Sequence, residues 1–295
     1  KLFHHSGTSR SIIKCWRMLG RSGPCSVHAL TLCAILSTFI LLGNGEQAGQ
    51  EKEETCTRGS RLSDSLAGAF PVQKARQVLH FVRHAEGYHN LVAHKFARGS
   101  KEYEEVLADP SYLDASLTPL GIQQCEKLRN ETQASALKYD LVLVSPMTRA
   151  LQTLSIAFPT HPKNVPVLAL EFLRERFGLR PCDSRSPVSH LVAEFPFVDF
   201  SVVPPGQDPH LCARGGTPEC PPRETEASMD ERGDLLLQFL AGRPETSVLI
   251  VGHSAFFSRL FEKQLAWSVE DGAMRMENGE LRSVEIVHRH RDGIR

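Results

Sequence analysis

Three short apolar runs constrain this chain most, because each ends in polar residues of related kinds. Residues 77–82 (QVLHFV) lead into Arg83 and His84, residues 141–145 (LVLVS) into Pro146 and Arg149, and residues 247–252 (SVLIVG) into His253 and Ser254. Runs this short, rich in β-branched and aromatic residues, read as buried strands. Segments with helical spacing lie between them: 121 to about 135 after an LTPLG turn, 148–158 with Pro146 at its start, 226–241, and 253–265. Residues 165–168 read as a further strand and 279–287 as the last. Strands alternating with helices predict an α/β fold, a three-layer sandwich with a mostly parallel central sheet. The Pro-rich stretch 177–225 predicts a long inserted lid segment. In open sheets of this kind ligands sit at the carboxyl ends of the strands. The three polar clusters are therefore expected to meet there.

Two histidines and two arginines at one sheet end suit an anion, most simply phosphate. Guanidinium forks match phosphate oxygens and stay charged. A neutral imidazole is nucleophilic near pH 7 and can accept a phosphoryl group. Arg83, Arg149 and His253 would neutralise or hold the oxygens while His84 attacks. Lys plus Arg number 34 and Asp plus Glu 34, so no overall basic field favours nucleic acid as a partner. His80, His89, His94, His161, His190 and His210 lack metal-ligand spacing and read as surface or core histidines, and no metal or other cofactor is expected.

The motifs VRHAEGYHN, LTPLG, SPMTRALQT, LRERFG and VGHSAFF, in that order, resemble the histidine phosphatase superfamily, also called phosphoglycerate mutase-like. The run RERFGLRPCDSR and then EFPFVDFS is similar to its plant and fungal phosphoglycerate mutase-like branch. The resemblance implies that His84 is the phosphorylated nucleophile. It implies that Arg83, Arg149 and His253 complete the phosphate pocket and that Asn90 is an accessory phosphate contact. Glu175 would protonate the leaving oxygen and later activate water, with Glu171 its neighbouring rival. Ala85 departs from a glycine common in the family. Arg174, Arg176, Arg180 and Arg185 read either as a solvated basic rim or, with Arg174 and Arg180 foremost, as contacts to a second anionic group of the substrate. Asp183 is expected to pair with Arg185.

The implied function is a metal-independent phosphomonoester hydrolase acting through a phosphohistidine on a phosphorylated small molecule. The alternatives are a phosphoglycerate mutase and a noncatalytic phospho-ligand-binding module. Glycolytic mutases resemble one another in F-x-G-W-x-D and A-H-G-N-S stretches, and this chain has SYLDASLTPLG and VGHSAFF in those places.

Residues 1–17 read as a basic leader or upstream sequence. Residues 18–45 contain an apolar run, 27–42, preceded by Arg17 and Arg21 and followed by Glu46, Glu51, Glu53 and Glu54. That order fits a signal peptide, a single membrane anchor or an organellar presequence. Residues 46–75 read as a polar linker and 76–295 as the catalytic domain. A secretory location is expected, with organellar and cytoplasmic locations as alternatives. Asn130-Glu131-Thr132 would then be a glycan acceptor. Of the eight cysteines, none forms C-x-x-C, and Cys212 with Cys220 is the nearest downstream pair for a disulfide, which requires an oxidising compartment.

Overall fold

Every side chain of the run Leu141–Val144 is buried, although consecutive strand residues face opposite ways. That is possible only where a strand is covered on both sides. The computed structural model describes residues 76–159, 165–212, 217, 220–265 and 275–288. The expected leader, apolar run and linker lie outside these residues. Among the described residues no helix is long and apolar enough to cross a membrane.

The elements in chain order are β1 (Arg76–Arg83), α1 (Tyr88–Ala93), α2 (Lys101–Leu107), α3 (Pro119–Ala134), β2 (Leu141–Val144), α4 (Thr148–Ala157), β3 (Val167–Ala169), α5 (Val188–Glu194), α6 (Glu226–Ala241), β4 (Ser247–Gly252), α7 (Ser254–Lys263) and β5 (Leu281–Val287). The sheet order is β3-β2-β4-β1-β5. The first four strands are mutually parallel and β5 is antiparallel to β1. Strand alternation feeds two cores. Val82, Val142, Val144, Leu249 and Val251 pack against Cys125 and Leu128 of α3 and Leu151 and Leu154 of α4. Leu79, Phe81, Leu141, Leu143 and Ile250 pack against Leu236 and Leu240 of α6 and Phe256, Phe257 and Phe261 of α7. The result is three layers around a mostly parallel sheet.

Three boundaries move for local reasons. α3 starts at Pro119, before Gly121, because Thr118 caps it by accepting from the Gly121 N–H at 3.0 Å and Pro119 needs no N–H partner there. Pro146 precedes α4 rather than opening it. The opening residue is Thr148, whose N–H and hydroxyl donate to Asp114 at 2.9 and 2.7 Å. β3 begins at Val167, after Pro166, which has no donor for a ladder.

The inserted segment after Glu175 is partly core. Leu191 of α5, Phe195, Val198, Phe200 and Val203 are buried in the first cluster. A disulfide joins Cys212 and Cys220. The corner Pro181–Asp183 reaches the carboxyl end of the sheet.

Candidate active site

β1 and β4 are paired in register through Arg83 and Gly252, so the residues that follow them leave the sheet side by side. The His84 N–H donates to the Gly252 carbonyl at 2.9 Å, and the His84 and His253 ring centroids lie 5.0 Å apart. β2 ends beside them: Ser145 N–H donates to the Val251 carbonyl, and Ser145 Oγ lies 2.8 Å from His253 Nε2. Arg149, the second residue of α4, reaches the same point.

His84 is held in one protonation form. Its Nδ1 lies 2.7 Å from the Ala85 carbonyl oxygen, which can only accept, so Nδ1 carries the hydrogen. Arg149 Nε–H donates to His84 Nε2 at 3.3 Å, so Nε2 presents its lone pair. Burial first, then Arg149, His253, Arg83 and His89, hold this imidazole's pKa well below its usual 6.5. His253 is lowered likewise, by burial and then Arg149. The ring of His84 is therefore a neutral imidazole with its nucleophilic nitrogen among cations. Ala85, the departure from glycine, is fully buried; its N–H donates to Thr153 Oγ1 at 3.0 Å and its carbonyl orients the histidine.

Arg149 has no exposed surface. Its Nη1 donates to the Cys182 carbonyl at 2.6 Å, and Nη2 lies 3.6 Å from Asp183. Arg83 donates through Nη1 to the Met276 carbonyl at 2.8 Å, while its Nε is buried without a partner. Burial pushes the Arg83 pKa down against the pull of Glu175 and Glu277. His253 Nδ1 and His89 Nδ1 are likewise buried and unpartnered. Asn90 on α1 accepts from the Gly87 N–H at 3.1 Å. Glu175 is half-buried; its carboxylate accepts from Arg176 N–H at 2.9 Å and from Ala255 N–H, in the first turn of α7, at 3.3 Å. Glu175 thus stands at the first turn of α7, which His253 precedes, whereas its rival Glu171 is engaged elsewhere, with Arg174 and Arg185.

The LTPLG motif buttresses the loop after His84. Thr118 N–H and Oγ1 donate to Glu86 O and Oε1 at 2.9 and 2.8 Å. A Cβ at Gly121 would stand 2.2 Å from the Glu86 carbonyl oxygen, so only glycine permits this approach.

The arginine rim needs correction. Arg174 is 1% exposed, with its two terminal nitrogens on Glu171, Asp208 and the Asp183 carbonyl. Arg185 is buried against Glu171 and the carbonyls of Pro204 and Gly206. Neither is solvated nor turned to a substrate, because Glu171 claims both and Asp208 of the inserted segment claims Arg174 as well. Arg176 donates to the Glu224 carbonyl. Arg180 stays near the surface, doubly bonded to Glu104 of α2 and over the Tyr103 ring. Asp183 pairs with Arg149 and Arg223, not with Arg185.

Sequence reasoning missed three supports of the pocket, whereas His89, read as a surface or core histidine, is buried with its ring centroid 5.9 Å from that of His84. Asn278 Nδ2 donates to the His84 carbonyl at 3.0 Å, Met276 offers only its backbone, and Thr153 bridges Ala85 and Arg149. Only Thr153 had a signal, four residues after Arg149 on one helix face.

A parallel sheet with histidine and arginine side chains gathered at its carboxyl end describes a class of phosphate-handling α/β proteins. The description "Histidine phosphatase superfamily (branch 1)" matches residues 79–180. The chain is 33% identical over 254 residues to a phosphoglycerate mutase-like protein of Arabidopsis thaliana, covering 75% of this chain and 88% of that one. It is 32% identical over 257 residues to phosphoglycerate mutase-like protein 1 of the same plant, covering 75% and 85%. Among solved structures, the ecdysone phosphate phosphatase of Bombix mori, in complex with tungstate, is 15% identical with a TM-score of 0.46, covering 70% of this chain and 88% of that one. The chain belongs to the histidine phosphatase superfamily.

Proposed function

We propose that this chain is a phosphomonoester hydrolase that works through a phosphohistidine on His84 and needs no metal. The observation that carries the reading is the state of His84: Nδ1 held by the Ala85 carbonyl and Nε2 presented toward Arg149. In the first step the Nε2 lone pair attacks phosphorus and the ester P–O bond breaks. Glu175, in its acid form, gives its proton to the leaving alcohol oxygen. In the second step the Glu175 carboxylate takes a proton from water, the oxygen attacks phosphorus and the P–N bond breaks. Inorganic phosphate leaves and the histidine and acid are restored. Arg83, Arg149 and His253 stabilise the charge on the transferring group, with Asn90 as an accessory contact.

A phosphoglycerate mutase shares the first step, and the names of the Arabidopsis relatives keep that reading in view. The two separate in one experiment on purified protein. Inorganic phosphate release is compared with interconversion of 2- and 3-phosphoglycerate, with and without bisphosphoglycerate priming. Phosphate release is expected to dominate, undiminished in excess chelator. Labelled substrate quenched without acid should leave acid-labile, base-stable label that His84→Ala abolishes. Interconversion outrunning release by orders of magnitude overturns the hydrolase reading, and label surviving in His84→Ala overturns the nucleophile.

For location, we propose that the domain of residues 76–295 lies in the secretory pathway, cleaved from or held by the apolar run before it. The Cys212–Cys220 disulfide and the exposed position of Asn130 on α3 support this. A full-length fusion that stays cytosolic, uncleaved and unglycosylated would overturn it.

A further inference from the structure

The described chain contains two histidines of opposite character on or beside β1. His80, within the strand, has both ring nitrogens beside serine hydroxyls: Nδ1 lies 2.7 Å from Ser283 Oγ and Nε2 3.1 Å from Ser247 Oγ. That is how a histidine is stored in a fold. His89, on α1, is more than nine-tenths buried, yet its Nδ1 is shut off from solvent with no hydrogen-bond partner. An unsatisfied buried ring nitrogen carries a desolvation cost, and in His89 that nitrogen stands in a ring beside His84.

The surroundings of His89 belong to the phosphate pocket. Its ring centroid is 5.9 Å from that of His84, tilted by 41°. Burial, then Arg149, Arg83, His94 and Arg180, lower its pKa well below 6.5, so it stands neutral with one N–H to give. Gly87 makes room for it: a Cβ there would come within 2.9 Å of His89 Nδ1, and within 3.2 Å of the Ser116 carbonyl oxygen. Any larger residue in that turn would press the ring out of place.

We propose that His89 is a substrate-contacting residue, donating a hydrogen bond from its ring to the phosphoryl group bound at His84. It is a third histidine of the pocket, beside the nucleophile and His253. The inference rests on the reading of this pocket as a phosphoryl site. A neutral donor suits its place. It can bind an anionic oxygen without adding a further cation that would lower the nucleophile's availability beside Arg149.

The test uses the whole protein and inorganic phosphate as the probe. His89→Phe keeps a buried aromatic ring and removes the N–H. It is expected to weaken phosphate inhibition and to lower kcat/KM on an aryl phosphate by roughly 10- to 100-fold, the range for a hydrogen bond to a charged group. His89→Gln, which keeps a donor, should recover part of both. A loss of thermal stability with unchanged phosphate inhibition constant and unchanged kcat/KM per folded molecule overturns the proposal. Should His89→Phe fail to fold, the wild-type protein answers through long-range 1H–15N spectra. Saturating phosphate is expected to shift the His89 ring nitrogens together with those of His84. Shifts at His84 with none at His89 overturn this inference and leave the hydrolase reading standing. A wild-type protein that neither binds phosphate nor hydrolyses an aryl phosphate overturns both.

Discussion

Two buried, arginine-bearing regions lie within a few residues of each other in this fold, and they spend their donors differently. In the pocket at the strand ends, Arg83 Nε, His89 Nδ1 and His253 Nδ1 are buried without partners. In the cluster formed by residues 171–174, the inserted segment and α6, carboxylates face the arginines. Arg174 meets Glu171 and Asp208, Arg185 meets Glu171, and Arg232 meets Glu224 at 2.6 Å. Arg174 Nε is the cluster's one orphan, and its guanidinium lies 5.8 Å from the Phe177 ring centroid. Burial lowers the Arg174 pKa, but Glu171 and Asp208 outweigh it and hold the group charged. The difference teaches that counting arginines near a site says little about anion binding. What decides is whether the protein supplies the counter-charge itself.

Glu175 and Glu171 divide between the two regions and give the sharpest contrast. Glu175→Gln is expected to slow turnover by about 10²- to 10⁴-fold, the range for general acid–base catalysis, with smaller losses on substrates with good leaving groups. Glu171→Gln should leave the rate of the folded enzyme unchanged and lower its melting temperature. Steady-state kinetics on poor leaving groups, with thermal unfolding of both variants, decides. Equal rate losses in both would erase the distinction.

Arg149→Met should reduce kcat/KM by about 10²- to 10³-fold, the loss seen on removing one preorganised donor to developing charge. Its cost in stability should be the smaller effect, because Asp183 keeps Arg223. Asp208→Asn should do the reverse. It leaves Arg174 short of its deepest partner and should cost about 3–5 kcal/mol of stability. The inhibition constant of inorganic phosphate should stay as it was. Denaturant unfolding and phosphate inhibition, measured on both variants, would break the comparison if Asp208→Asn weakened phosphate as much as Arg149→Met.

At mildly acidic pH the smallest expected effect is a difference in acid sensitivity. His84, His89 and His253 have native pKa values well below 6.5. Below pH 6.5 the unfolded chain takes up protons that the native pocket refuses. Stability therefore falls as pH drops from about 6.5, by up to about 1.4 kcal/mol per pH unit for each ring. Asp208 has a lowered pKa, so its contribution is present above its usual 3.8 and lost as pH falls through the native value. Unfolding free energy followed from pH 8 to 3 should show the pocket's loss first and the cluster's last. His89→Phe should flatten the first stage, and an unchanged profile would contradict the neutral state of that ring.

Much of the pocket was legible because strands covered on both faces read as unbroken apolar runs. The runs before His84, Ser145 and His253 could hardly be anything else. Gly252 and Gly121 also carried meaning, since a Cβ at either would collide with Phe257 or with Glu86. The arginine cluster was not legible, because Arg174 and Asp208 meet across a segment whose path no periodicity reveals. His89 hid on a helix of six residues, too short for an apolar face to show which side is inward. Met276 contributes a carbonyl, and a backbone group has no residue-type signature. The antiparallel direction of β5 was likewise invisible, since its alternating half-exposed pattern fits an edge strand of either sense.

The turn before β5 has a consequence for how the protein comes into being. Met276 receives Arg83, Asn278 holds the His84 carbonyl, and Gly279 N–H reaches the Arg83 carbonyl at 3.2 Å. His84 is thus made early in synthesis and these supports late. A growing chain that has already emerged through α7 carries Arg83, His84, Arg149, Glu175 and His253 but not the turn that braces Arg83 and His84. The contacts that residues 276–279 make to Arg83 and His84 can form only once the approach to the last strand has been synthesised.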